Sequence, residues 1–278
     1  MRKPISSYNA LLYYLTVKAR RIARYINWIF GKQKFARTIS MDKLKFRVYK
    51  HQSVLVRKMG GADLRLQLNK VRNLRIAVEK LNGIIIYPGE TFSFWRLIGC
   101  ATRKKGYLDG MLLSNGEAMA GIGGGICQIA NLIHWLCLHS PLTVTERHHH
   151  SFDPFPDEGR VVPFGSGASV FYNYMDYRFI NNTDHIFQLL FWFDDKCING
   201  DLRSDYNFPY KYHVFEKDHE FVKIGENFFR RNELWRDKYL KREGGRVVET
   251  ELIQKNDALV KYVPEEYRPI GPGPSPTV

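Results

Sequence analysis

Two short stretches hold the residues best suited to chemistry. One is Gly121-Ile122-Gly123-Gly124-Gly125-Ile126-Cys127-Gln128, and the other is Thr145-Glu146-Arg147-His148-His149-His150-Ser151. A thiol that begins a helix faces unpaired N–H groups and the positive end of the helix dipole, and both favour the thiolate. An imidazole on a neighbouring strand could act as its base. Cys127 with His150 or His148 is therefore the nucleophile pair to weigh, with Asp176 or Asn181 orienting the ring. Gln128 and the backbone N–H groups of the helix start would hold an oxyanion, and Arg147 would grip a substrate carboxylate. The plainer account makes Cys127 a small buried hydrophobe in a tight turn.

The same residues support a reading that needs no reaction. Gly123, Gly124 and Gly125 would let a ligand lie against the backbone, with Phe92, Phe94 and Trp95 lining the groove and Arg147 binding its charge. A metal centre is not expected. Adjacent histidines on a strand point to opposite faces, and His134 and His139 miss the one-face spacing of a helix. No cofactor is expected either. Gly125 is followed by Ile126-Cys127 where a phosphate loop needs Lys-Ser/Thr, and position 126 is not the glycine that a dinucleotide fingerprint requires.

The elements that must position these residues can be read around them. Ile129, Leu132, Ile133 and Leu136 recur at helical spacing until Ser140-Pro141 stops the run, so a helix starts at or just after Cys127. Leu142 to Thr145 reads as a short strand leading into the histidines. Upstream, Leu68, Val71, Leu74, Val78 and Leu81 form one face of a helix that Asn82-Gly83 ends, and Ile84 to Tyr87 reads as a buried strand. Downstream, Val170–Tyr174, Tyr177–Ile180, Ile186–Phe193 and Cys197–Arg203 read as an antiparallel meander. Residues 208–262 continue in β-like pieces, with hairpin signals at Glu216-Lys217-Asp218-His219 and Gly244-Gly245.

Composition confines the rest. The chain has 278 residues, 44% hydrophobic and 14% aromatic, as a folded globular protein should. Its net charge of +14 is concentrated: residues 1–80 hold 20 Lys and Arg against 3 Asp and Glu. Leu11, Leu15, Ala19, Ile22, Ile26 and Ile29 form an apolar stripe within residues 8–30, with Arg20, Arg21 and Arg24 on the other side. Such a helix either lies on an anionic membrane surface or caps the core with its arginines in water. No nucleic-acid module accompanies the charge, so no nucleic-acid partner is expected. Four cysteines are too few for a disulfide framework and suggest a reducing compartment.

At this point the residues resemble a known family. Asn82-Gly83, Tyr87-Pro88-Gly89-Glu90-Thr91-Phe92-Ser93-Phe94, Gly106-Tyr107 and Gly123-Gly124-Gly125-Ile126-Cys127-Gln128 are similar to the VanW family. Arg147 through His150-Ser151 and Asp176 to Asn181 extend the match, which covers roughly half of the chain. Many relatives carry Ser or Thr near Ala130-Asn131, and Gly-Arg/Val-Asp-Ala near Phe164–Ala168, so any role tied to those residues does not transfer. The resemblance implies an accessory role in glycopeptide (vancomycin) resistance and cell-wall biology, with no established reaction.

The expected architecture is α+β: a helix after a Gly-rich loop packed on a mainly antiparallel sheet that includes Thr143–Thr145 and Ile186–Phe193. The expected units are a basic segment with an amphipathic helix (1–63), a VanW-like domain (64–203), a β-rich extension (204–263) and a disordered tail (264–278). The expected partners are a cell-wall peptide or precursor and an anionic membrane surface. With no secretory signal evident, the expected location is cytoplasmic, peripheral at the inner face of the membrane.

Overall fold

Ile84–Ile86 and Phe187–Phe193 carry the branched and aromatic side chains that fit a pleated surface, and they meet at the centre of the protein. The computed structural model describes residues 10–56, 64–114, 117–149, 152–153, 156 and 161–267. The chain begins with helix α1 (Ala10–Phe30) and strands β1 (Lys34–Phe35) and β2 (Phe46–Val54). Helix α2 (Leu64–Val78), β3 (Ile84–Ile86), β4 (Glu90–Ser93) and the short α3 (Phe94–Ile98) follow. The hairpin β5 (Asp109–Ser114) and β6 (Glu117–Ile122) leads through the glycines into α4 (Cys127–Leu138). Then come β7 (Thr143–Glu146), β8 (Phe152–Asp153), β9 (Arg178–Ile180), β10 (Phe187–Phe193) and β11 (Cys197–Ser204). Three long strands close the chain: β12 (Tyr210–Ile224), β13 (Asn227–Leu240) and β14 (Val247–Val260).

The central sheet has the order β2-β11-β10-β3 and is antiparallel throughout. Phe187 to Phe191 are all buried, as a strand covered on both faces should be, and the one polar residue among them, Gln188, donates to the Ser40 and Asp42 carbonyls and accepts the Leu44 N–H. Helix α4 packs on this sheet at β2 and β11. Gly200 of β11 makes room for it, since a Cβ there would stand 3.0 Å from Leu136 Cδ1 and 3.2 Å from Leu132. The result is the α+β architecture expected, with a glycine loop feeding a helix onto an antiparallel sheet.

One expectation about the sheet needs correcting. Thr143–Glu146 does not join β10; it belongs to a second sheet of order β1-β4-β9-β7. The corner between the sheets is the turn after β9. There Asn181 Nδ2 donates to the carbonyls of Ile86 and His185, and Asn181 Oδ1 accepts from the Thr183 N–H. That fully buried amide fastens the turn across the two sheets, so the chain leaves one sheet at Ile180 and enters the other at Phe187.

The buried face of α2 also differs from the stripe expected. Gln67, Asn73, Leu74, Ala77 and Val78 are buried, while Leu68 is exposed. Val170–Tyr174 is not a strand; only an isolated bridge joins Phe171 to Met175. The C-terminal strands form a meander, β12-β13-β14, with β8 added in parallel to β14. Glu216–His219 does not turn. It forms a bulge inside β12, where Asp218 has φ +50° and the register shifts. The hairpin turns lie at Gly225 and, as expected, around Gly244-Gly245.

Helix α1 docks with the opposite face from the one expected to cap a core. Arg24 forms a fork with Glu146 (2.5 and 2.6 Å), Arg21 Nε donates to the Tyr172 carbonyl (3.0 Å), and Tyr25 OH meets Tyr172 OH at 2.5 Å. The arginines are drawn inward because Glu146 and the Tyr172 and Tyr174 rings supply their partners.

Candidate functional site

The glycine loop is built by α2. Asn73, fully buried on α2, donates from Nδ2 to the carbonyls of Leu108 and Gly124 (both 3.0 Å) and accepts the Leu108 N–H at Oδ1 (2.8 Å). The loop is further closed by Gly123 N–H to Leu108 O and Gly124 N–H to Gly121 O, both 3.0 Å. Gly124 lies against the backbone of Gly110 in β5; a Cβ on Gly124 would stand 2.1 Å from the Gly110 carbonyl. Gly125, at φ +90°, has the same problem with the Lys70 side chain at 2.1 Å. The glycines therefore serve the approach of one part of this chain to another, and at Gly124 and Gly125 that space is already filled.

Cys127 opens α4, as its position after the glycines predicts. The residue is half-buried, and its Sγ lies 3.6 Å from the carbonyl of Val170. Burial pushes the thiol up from its ordinary value, the reverse of the activation expected from the helix start. Desolvation outweighs the backbone hydrogen bonds at the sulfur, which act in the opposite direction. Gln128 is also turned away from an oxyanion role: its Nε2 donates to Ser53 Oγ (2.9 Å) and Val54 O (2.7 Å), fastening α4 to β2.

The segment from Gly165 to Val170 joins the two stretches that the sequence singled out. Arg147 donates from Nε to Gly167 O (2.8 Å) and from Nη2 to Gly167 O (2.6 Å) and Gly165 O. Ser169 N–H donates to His148 O (2.7 Å), and Ala168 N–H to Asn131 Oδ1 (2.6 Å). With Val170 accepting from Cys127, this loop is clamped between the first turns of α4 and the Arg147-His148 strap. The structure thus brings Cys127, Arg147 and His148 around one loop. His150 lies outside the described residues.

Arg147 is half-buried, and burial lowers its pKa to about 10. No carboxylate pairs with it among the described residues, and its Nη1 has no partner there. His149 beside it is exposed, with a pKa lowered by partial burial and by the charges of Arg147 and His148. His148 Nε2 meets Glu146 Oε1 at 3.1 Å. Glu146 also receives Arg24 and the Asp176 amide, and although burial alone would raise it, these partners hold it down at about 2.

Two expected roles must be corrected. Asp176 does not orient an imidazole. It is fully buried and accepts from Ser93 Oγ (2.5 Å), the Trp95 and Tyr177 N–H groups and Arg178 Nε (2.9 Å). Phe92 and Phe94 do not line a groove: Phe92, on the interior strand β4, stacks on Phe179 at 4.7 Å, and Phe94, the first residue of α3, is fully buried in the same core. His134, also buried, sets Nδ1 3.1 Å from Tyr177 OH and is kept neutral by burial. Asn73, Asn131 and Glu146 went unnoticed as site-building residues. A signal was available for Asn73 alone, a polar residue on the buried face of α2.

The comparisons with known proteins follow this geometry. A family model described as "VanW like protein" matches residues 69–203, which include the glycine loop, α4 and the Arg147-His148 strap. The vancomycin B-type resistance protein VanW of Enterococcus faecalis (strain ATCC 700802 / V583) is 36% identical over 186 residues, 67% of this chain and 68% of that protein. The uncharacterized protein YoaR of Bacillus subtilis (strain 168) is 33% identical over 118 residues, 41% of this chain and 36% of that protein. No solved structure gives a significant match. With a relative at this identity across two thirds of both chains, the chain belongs to the VanW family.

Proposed function

We propose that this protein is a non-catalytic accessory of glycopeptide (vancomycin) resistance that binds a cell-wall peptide or precursor through the peptide's free carboxylate. The likeness to the resistance protein of E. faecalis supports the resistance role. The observation that carries the ligand class is Arg147: a half-buried guanidinium with no carboxylate partner among the described residues, its Nη1 unengaged and exposed His149 beside it. A partly buried guanidinium held only by carbonyls keeps its charge uncompensated, and an incoming carboxylate would supply the counter-charge. In this reading Gly123, Gly124 and Gly125 buttress the site from behind, and the Gly165–Gly167 loop presents Arg147. Thiol chemistry gains no support, since Cys127 meets a carbonyl and burial raises its pKa.

Titrating the intact protein with two versions of a soluble peptidoglycan stem peptide tests the proposal. One version ends in a free carboxylate and the other in an amide. Binding of the carboxylate form, followed by chemical shifts of the Arg147 and His149 side chains, is expected to exceed binding of the amide form by about tenfold or more, the usual scale for a charge-assisted pair. Equal binding of the two, or binding of neither, removes the reading.

A further inference from the structure

Among the described residues, the apolar stripe of α1 is left exposed. The helix docks through Val17, Arg21, Arg24 and Trp28, which lie on its inner side. The opposite side carries Leu11 (64% exposed), Leu15 (51%), Ile22 (59%), Ile26 (53%) and Ile29 (70%). At 100° per residue these five positions fall on one line along the helix, continued by Leu12 and the 80%-exposed Phe30. Soluble proteins seldom leave so continuous an apolar strip in water, and such a strip marks an interaction surface.

Charge identifies the occupant. Helix α1 contains no Asp or Glu, and exposed Lys18 sits at the edge of the stripe. The 20 cations of residues 1–80 against 3 anions leave this end of the chain strongly positive. Tyr13, Tyr14 and Tyr25 are also exposed on the helix, and amphipathic rings favour the headgroup level of a bilayer. No helix among the described residues is long and apolar enough to cross a membrane, so the fitting arrangement is in the plane of the interface. An apolar stripe on a helix already fixed to its domain also loses little conformational entropy on insertion.

We propose that α1 docks the protein on an anionic lipid surface, with Leu11, Leu15, Ile22, Ile26 and Ile29 inserted below the headgroups and basic residues of the N-terminal part against them. The peptide-binding reading is independent of this one. The test is co-sedimentation of the full chain with vesicles of phosphatidylcholine alone, or of phosphatidylcholine with about a third phosphatidylglycerol, at low and high salt. Binding is expected for the anionic vesicles at low salt, weakened by high salt and by removal of phosphatidylglycerol. Ile22→Glu with Ile26→Glu should lower partitioning by at least about tenfold, because each removes one inserted aliphatic side chain. Both positions are exposed, so the fold should survive, and an unchanged circular-dichroism melt confirms that it does. Three results would overturn the proposal: no binding to anionic vesicles at low salt, binding unaffected by the two substitutions, or a stable dimer in solution that the substitutions dissolve, which would assign the stripe to a second copy.

Discussion

Replacing Gly124 with alanine separates two explanations of the glycine loop. If the glycines exist to admit a ligand, the substitution should spare stability and harm binding. The structure predicts the reverse order. A Cβ on Gly124 would stand 2.1 Å from both the C and O atoms of Gly110 and 2.7 Å from its Cα. Ordinary contact needs about 3.5 Å, so the loop and β5 would have to part by roughly 1.4 Å. Backbone atoms cannot swing aside as a flexible side chain can. The hydrogen bonds of Asn73 to Gly124 and of Gly123 to Leu108, both 3.0 Å, span this contact and would stretch with it. Overpacking costs about 1–3 kcal/mol and a weakened buried hydrogen bond about 1 kcal/mol, which together predict about 2–4 kcal/mol. Gly89→Ala is the matched control. Gly89 has φ +74° and nothing within 4 Å of its would-be Cβ, so only left-handed strain of about 1–2 kcal/mol applies. Urea unfolding followed by tryptophan fluorescence gives both values. If Gly124→Ala costs no more than Gly89→Ala while abolishing binding of the carboxylate peptide, the packing argument is wrong and the loop is a ligand surface.

Two further outcomes follow from the same geometry. Cys127 should alkylate with iodoacetamide at neutral pH no faster than a simple free thiol, and quickly only after unfolding, because burial raises its pKa; faster native labelling, mapped by mass spectrometry, would restore the nucleophile reading. Glu146 is held at about 2 in the fold against 4.5 ordinarily, so it stabilises the folded state above its unfolded pKa and loses that contribution as pH falls from about 4.5 through about 2. The span corresponds to about 3 kcal/mol, and Glu146→Gln should flatten the acid limb of a stability-against-pH curve by an amount of that order; an unchanged limb would show that Arg24 and His148 contribute nothing through this carboxylate.

What the sequence disclosed about the fold was local. The run from Phe187 to Phe193 announced a central strand because six of its seven residues are apolar, on both faces of the strand, and the helix after Cys127 was legible from its spacing and its stop at Ser140-Pro141. Sheet membership was not legible. Nothing in Thr143–Glu146 says that it pairs with β9 and not β10, since four residues carry no pairing code and the separation depends on the Asn181 amide reaching Ile86. The bulge at Asp218 reads as a hairpin in the sequence because polar residues that tolerate positive φ serve both. At the site, the sequence found Cys127, Arg147 and His148 but assigned their roles from residue type. Their partners, Val170, the Gly165 and Gly167 carbonyls and Glu146, are backbone or distant groups, and those decide the thiol's pKa and the guanidinium's free edge.

The orientation of α1 shows the same limit and links the two surfaces. An amphipathic pattern defines two faces without saying which one docks, and the default places the apolar face inward because cations prefer water. Here Glu146 reverses that default. It comes from the end of β7, far away in sequence, and offers Arg24 a two-pronged partner at 2.5 and 2.6 Å beside the Tyr172 and Tyr174 rings. The inner face is thereby satisfied by charge and aromatic contact, and the apolar stripe is left outside. The same carboxylate meets His148 Nε2 at 3.1 Å and accepts the Asp176 amide at 3.0 Å. One residue therefore contacts both α1 and the strap that carries Arg147. A displacement of α1 strong enough to part Arg24 from Glu146 would change the charge facing His148, so this carboxylate, beside the Arg21 and Tyr25 contacts with Tyr172, couples the position of the helix to the strap.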